Sequence, residues 1–161
     1  MIRKYQAGDE IEIGQIYYDA VHELTRDDYS EEQRKAWATP IDSDAAWATK
    51  WRKRCELKQP WVAVVGDEVV GFIEFEEDGH IECTYVSPAH AGKGHMSAIM
   101  KRIFEEARKS KLIRLYAEVS ITARPFFERH GFRVTRDNPH EVRGVPILNY
   151  IMECWLQPDA G

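Results

Sequence analysis

No apolar stretch in this chain approaches the roughly 20 residues that a membrane-spanning helix needs, and the N-terminal "MIRKYQAGDE" lacks the apolar centre of a secretory signal. The expectation is a cytoplasmic protein with no membrane partner. Cysteine is scarce as well. Cys55, Cys83 and Cys154 are odd in number and share no metal-type spacing, which suits a reduced compartment and argues against a thiolate metal site. Positive charge is in deficit, with 22 Lys and Arg against 27 Asp and Glu and a net charge of −5, so no nucleic-acid partner is expected. The six histidines are dispersed. His90 and His95 flank a glycine turn, but two histidines without a third ligand make a poor metal centre, and no metal is expected. Low-complexity tracts, internal repeats and flexible linkers are missing too.

What is present is an ordinary globular composition over 161 residues, 43% hydrophobic and 30% charged, enough to bury a core within one domain, 1–161. "IRKY" reads as a strand. Ile13, Ile16, Tyr17, Ala20, Val21 and Leu24 then recur at helical spacing. "YSEEQRKAWA" opens a second helix with a capping box, Ser30 and Gln33, and Pro40 stops it. A third helix follows Ser43 and Asp44, with Trp47, Trp51 and Cys55 on one stripe. From Trp61 the period changes to that of strands. Three β-rich runs are separated by Gly66-Asp67 and Asp78-Gly79, which predicts an antiparallel meander. A strong helix (Met96, Ile99, Met100, Ile103, Phe104, Ala107), the strand "LIRLYAEVS", the short helix "ARPFFERH" and two strands, from "GFRV" and over "ILNYIMECW", complete the chain. Only the unit over 80–119 needs a parallel pairing. The fold class is therefore α/β of the α+β kind, a mixed, mostly antiparallel twisted sheet of six to seven strands flanked by helices.

The segment richest in chemistry is "YVSPAHAGKGHMSAIM", a strand, a glycine turn and a helix. That order presents backbone N–H groups to phosphate. A Walker A loop is excluded, because Lys93 precedes Gly94 instead of following it. A dinucleotide fingerprint is nearly matched by Gly92, Gly94 and Ser97, with Glu118 ending the next strand as a ribose acid. It sits mid-chain after a meander, however, without the further βαβ units of a doubly wound sheet. A nicotinamide-dinucleotide enzyme stays as the third alternative.

The segment "IECTYVSPAHAGKGHMSAIMKRIFEEA" resembles motif A of the GNAT superfamily of acyl-CoA N-acyltransferases, and "VSITARPFFERHGF" resembles its motif B. The resemblance covers the chain from about Trp61 onward, and is looser over the N-terminal helices. It implies an acyl-CoA-binding core over 61–161, with 1–60 supplying a strand and the substrate-side helices. It also implies acetyl-CoA as acyl-donor cosubstrate and a small-molecule or peptide amine as acceptor. Residue by residue, it implies a pyrophosphate loop of Ala91, Gly92, Lys93, Gly94, His95 and Met96, continued by Ser97 at the helix N-terminus. Tyr85 and Val86 would offer backbone groups to the pantetheine arm, Ser120 would contact it at a strand end, and Phe127 would lie beside the thioester. The sequence departs from the pattern at three places. Ala91 replaces a Gln or Arg, and Met96 replaces a small residue and would crowd the diphosphate. Phe127 stands where many relatives carry the tyrosine that protonates the leaving thiolate.

N-acylation needs a neutral amine, a polarised thioester carbonyl and a proton for the thiolate. An N–H near Tyr85 or Val86 would serve the carbonyl. Strand alternation places His80, Glu82 and Thr84 on one face. Glu82 is the first candidate for the base and His80 the second. Tyr116 and Tyr150 are candidate acids by residue type alone. Cys83 is a conceivable nucleophile, but reads better as a core residue alternating with Ile81 and Tyr85. Asp27, Asp28, Glu31 and Glu32, with Tyr29 and Trp37 beside them and with Glu74 and Glu76, would favour a cationic amine. The reading is an N-acetyltransferase acting by direct attack in a ternary complex. The competing class is a catalytically inactive acyl-CoA-binding sensor or regulatory module. The final apolar strand is suited to pairing across a homodimer.

Overall fold

Seven strands form one sheet in the computed structural model, which describes residues 1–41 and 45–157. They are β1 (Ile2–Lys4), β2 (Trp61–Val65), β3 (Glu68–Phe75), β4 (His80–Val86), β5 (Arg114–Ser120), β6 (Arg133–Val142) and β7 (Val145–Trp155). The spatial order is β1-β2-β3-β4-β5-β7-β6, and every neighbouring pair is antiparallel except β4 with β5. This is the mixed, mostly antiparallel sheet that the hairpin signals and the crossover require. With a lone parallel pairing there is no doubly wound sheet for a dinucleotide fingerprint to serve.

The helices follow the expected periodicity. α1 (Glu10–Asp19) runs into a π-helical turn over Ala20–Leu24. α2 (Glu31–Trp37) begins with both halves of the Ser30–Gln33 capping box and ends before Pro40. α3 (Ala45–Lys58) follows, and Ser43 and Asp44, expected ahead of it, lie outside the described residues. α4 (His95–Lys109) and α5 (Arg124–Arg129) flank β5 in sequence.

Each sheet face carries its own core. α4 covers one face, where Ile99, Met100 and Ile103 pack with Ile73, Ile81, Leu115 and Phe127. α1 and α3 cover the other, where Ile13, Trp51 and Cys55 pack with Phe72 and Cys83. Full burial of such side chains contributes about 1.5–3 kcal/mol each, so the amphipathic stripes read from the sequence are the main force that seats these helices.

Two local departures position the site. The β3–β4 register changes from Ile73↔Thr84 to Phe75↔Ile81, which leaves Glu82 and Cys83 opposite Glu74 alone, a bulge on β4. Beyond it the alternation is reversed. Ile81 enters the α4-side core, while Cys83 and Tyr85 pack on the α1–α3 side. The expected common face therefore holds for His80 and Glu82 but not for Thr84, which pairs with Ile73 of the α4-side core. Cys83 is out of phase with Ile81 for the same reason. The second departure is that β4 and β5 pair only at His80↔Tyr116 and Ile81↔Ala117. Towards their C-terminal ends no further pairing joins them among the described residues, and the sheet parts there.

β6 extends beyond "GFRV" to Val142, running through Pro139. As the last strand of the sheet it tolerates a residue without an N–H.

Candidate active site

The gap between β4 and β5 opens into two cavities. The first, of 430 Å³, is lined by Val86 of β4, by residues 92–97 of the turn and of the start of α4, and by Ala20, Leu24 and Thr25 of the π turn. Gly92 and Gly94 hold φ of +74° and +85°, a region that side-chain-bearing residues enter only with strain. Gly94 caps α4 and no side chain caps that end, so the first-turn N–H groups and the positive end of the helix dipole are left for a ligand. Lys93, Arg129, His90 and His95 line this cavity and, among the described residues, no carboxylate does, an anion-selective wall in a chain of net charge −5. The His90 Nδ1 atom is buried there without a hydrogen-bond partner.

Strand geometry adds one more donor. The Ser87 N–H is bonded to the Val70 carbonyl on β3. Successive strand N–H groups alternate in direction, so the Val86 N–H points into the gap. Met96, expected to crowd a diphosphate, lines this cavity. Its Sδ lies against the backbone of Gly71 on β3, where a Cβ would approach to 2.7 Å. The side chain packs on the α4-side core.

The second cavity, of 570 Å³, lies on the α1–α3 side and is lined by Tyr17, Trp47 and Trp51, by Glu82 and Cys83, and by Glu118. Lys50, Arg143 and His140 line it as well, and a continuous charged network reaches its wall at Arg54, Glu82 and Glu118. Glu74 is 1% exposed and accepts two hydrogen bonds from Arg54, both at 2.8 Å. Arg54 Nη2 also lies 3.4 Å from Glu82, and Lys58 Nζ bridges Glu82 at 2.6 Å and Glu76 at 3.0 Å. His80 Nδ1 is 3.3 Å from Glu76, and its Nε2 is 2.6 Å from Glu118. Burial alone would push the Glu82 carboxyl up, but the Lys58 ammonium and the Arg54 guanidinium bring it below the usual carboxylate range. Burial would push His80 down, yet the Glu118 and Glu76 carboxylates hold it above its ordinary value. Ligand atoms of Glu76, His80 and Glu82 lie within 4.8 Å of one another, a cluster not anticipated from the sequence. The Lys58 ammonium already bridges both of its carboxylates, so the positive charge there is supplied internally.

The two cavities share Trp37, Thr84, Tyr85, Ser120 and Ala123. Tyr29 fixes one side of this junction, donating its O–H to Leu148 O at 2.7 Å and accepting from the Ile121 N–H at 2.9 Å. Ser120 Oγ accepts from the Ala123 N–H, and Ser97 Oγ is bonded to His130.

Of the residues anticipated for the donor, Tyr85, Val86, Gly92 to Ser97 and Ser120 line the first cavity. Ala91 is not on its wall. Phe127 is 2% exposed, and it lines the second cavity while its neighbour Phe126 lines the first. Glu82 lines the second cavity, whereas His80 lines neither and reaches it through Glu118. Glu118, read from the sequence only as a ribose acid, faces away from the glycine turn. Tyr116 donates its hydroxyl to Asp78 and is on neither wall, and nor is Tyr150. Asp27, Asp28, Glu31 and Glu32 also lie off both walls. Phe126 and Arg129 were missed, Trp37 was expected only beside the N-terminal acids, and Glu118 only as a ribose acid. Arg129, three residues after Phe126 on α5, carried a helical-face signal; the other three become site residues only through tertiary packing.

A sheet parted between its two parallel strands, with an anion cradle on one side of the gap and an aromatic-lined cavity of mixed charge on the other, has the architecture of an acyl-group transferase. The acetyltransferase (GNAT) domain family matches residues 25–154, and the chain belongs to it as an acyl-CoA-dependent N-acetyltransferase. The chain is 33% identical to the uncharacterized N-acetyltransferase YafP of Escherichia coli (strain K12) over 151 residues, covering 94% of this chain and 93% of that one. The crystal structure of a GCN5-related N-acetyltransferase from Rhodopseudomonas palustris superposes with a TM-score of 0.87 at 27% identity, covering 97% of this chain and 95% of that chain. YncA from Salmonella typhimurium, a putative acetyltransferase solved with its cofactor acetyl-CoA, shares the fold with a TM-score of 0.67 at 23% identity, over 100% and 96% of the two chains. No helix among the described residues is long and apolar enough to cross a membrane.

Proposed function

We propose that the protein transfers an acetyl or other short acyl group from acetyl-CoA to a primary amine, by direct attack in a ternary complex. The observation that carries this reading is the meeting, at one gap in the sheet, of a cationic cradle of backbone N–H groups and an aromatic-lined cavity that holds the Glu82 carboxylate among cations. The N–H groups at 92–97 hold the diphosphate, with Lys93 and Arg129 adding charge and the buried His90 Nδ1 offering a further polar contact. Val86 offers its backbone to the pantetheine arm as an added strand would, and its N–H polarises the thioester carbonyl. Ser120 stands at the junction, with Phe126 on the donor side and Phe127 on the acceptor side.

On the acceptor side, Glu82 receives the proton of the amine. It is held ionised by Lys58 and Arg54 and is a weak base. A weak base suffices because the nitrogen becomes more acidic as the C–N bond forms. His80 positions Glu118, and through Glu76 and Lys58 it supports Glu82. Direct attack is favoured over an acyl-cysteine intermediate because burial pushes the Cys83 thiol well up, away from the thiolate that a nucleophile requires. The acceptor carries an apolar body, not a polycation. Tyr17, Trp47 and Trp51 line its cavity, Glu74 is neutralised by Arg54, and Glu76 by Lys58.

The test is a thermal-shift titration with acetyl-CoA, followed by thiol release on an amine panel. The reading expects a shift, and release with aryl-bearing monoamines in preference to polyamines. A shift without any turnover would mark an acyl-CoA-binding module instead.

A further inference from the structure

Phe127, on the wall of the second cavity, has no proton to give a departing thiolate. Three hydroxyl side chains line both cavities: Thr84, Tyr85 and Ser120. Ser120 Oγ accepts the Ala123 N–H at 3.0 Å, which leaves its own proton unengaged by that bond. A phenol is a far better acid than the aliphatic hydroxyls of Thr84 and Ser120. Tyr85 is held by aromatic edges, with ring centroids 4.9 Å from Tyr17 and 5.9 Å from Phe72. Its oxygen accepts the Trp37 Nε1–H at 3.2 Å. An indole N–H can only donate, so this bond occupies a lone pair of the phenol and leaves its proton uncommitted. The other two phenols packed near the junction are committed: Tyr29 donates to Leu148 O and Tyr17 to Trp37 O at 3.2 Å.

We propose that Tyr85 is the proton donor to the departing thiolate. This rests on the acyl-transfer reading above. As the C–N bond forms and the C–S bond breaks, the amine proton goes to Glu82 and the phenolic proton of Tyr85 goes to sulfur. Water in the donor cavity then carries a proton back to the phenolate, while Glu82 releases its own, and the protein is restored. Burial pushes the Tyr85 phenol up, so it stays protonated at neutral pH and its O–H is always ready to donate. The Trp37 N–H stabilises the transient phenolate by the same bond it makes at rest.

The experiment compares the parent, Tyr85→Phe, and Tyr85→Phe with Phe127→Tyr added. Thiol release and the thermal shift with acetyl-CoA are measured on each. The variant keeps the ring packing and loses only the hydroxyl. The expected result is a kcat about 100-fold below the parent with the acetyl-CoA shift retained, and partial recovery when Phe127→Tyr supplies a hydroxyl beside the junction. A Tyr85→Phe protein with the parent's kcat overturns the proposal. So does a loss of kcat matched by loss of the acetyl-CoA shift and not recovered by Phe127→Tyr. If the parent itself shows neither shift nor thiol release, the acyl-transfer reading fails and the proposal falls with it, a result distinct from both.

Discussion

On the donor side the polar wall is mostly main chain. It is drawn from consecutive residues 92–97 and the strand end at Val86, with cations around it and, among the described residues, no carboxylate. On the acceptor side the polar wall is side chain. Arg54, Glu82 and Glu118 reach it, and behind them Lys58 and His80 pair with Glu76, and Arg54 with Glu74. The contrast matches the two tasks. A diphosphate is a fixed ligand that backbone N–H groups grip whatever the side chains are. Handling an amine needs titratable groups whose charge is set by neighbours. Substitutions at Ala91 and Met96 are tolerable on the first side for that reason, and single substitutions on the second should be felt at once.

Glu82→Gln should divide the two sides most sharply. We expect kcat to fall about 100-fold while the acetyl-CoA thermal shift is unchanged; an equal loss in both would merge the two functions. Gly94→Ala probes the other side. An alanine at φ of +85° costs roughly 1–2 kcal/mol, so the Kd for acetyl-CoA, read by calorimetry, should weaken about 5- to 30-fold while KM for the amine is unaltered. The smallest effect is a pH shift. Glu82 is held below its ordinary value, so the ionised base is present above that lowered pKa and is lost as pH falls through it. Lys58→Met removes the ammonium 2.6 Å away and should move the acid limb of the kcat–pH profile upward by about one unit. A limb that stays in place would remove Glu82 from the titration.

The same contrast explains what could be read from the sequence. The donor cavity was legible because its parts are contiguous: a strand, a turn with Gly92 and Gly94, and the stripe of Ile99, Met100 and Ile103 that seats α4. The β2–β3–β4 meander followed from hairpin signals at Gly66-Asp67 and Asp78-Gly79. The acceptor cavity was legible only at Glu82. Period 2 placed Thr84 with it, and the bulge at Glu82–Cys83 undid that, since nothing in "HIECTYV" announces an extra residue. Glu74 and Glu76 looked like an exposed acidic face because their partners, Arg54 and Lys58, come from a helix far away in sequence. The acids at Asp27, Asp28, Glu31 and Glu32 had simple helix-start explanations, and they stand clear of both walls. Tyr29 was noticed only beside those acids, while its role is to tie Leu148 and Ile121 together.

In the proposed mechanism donor and acceptor are bound together, one in each cavity, when the acyl group moves. The most direct test is steady-state thiol release with acetyl-CoA and an accepted amine both varied. The account predicts double-reciprocal lines that intersect, the pattern of a ternary complex. Parallel lines, the mark of an acyl-enzyme formed before the amine binds, would contradict it.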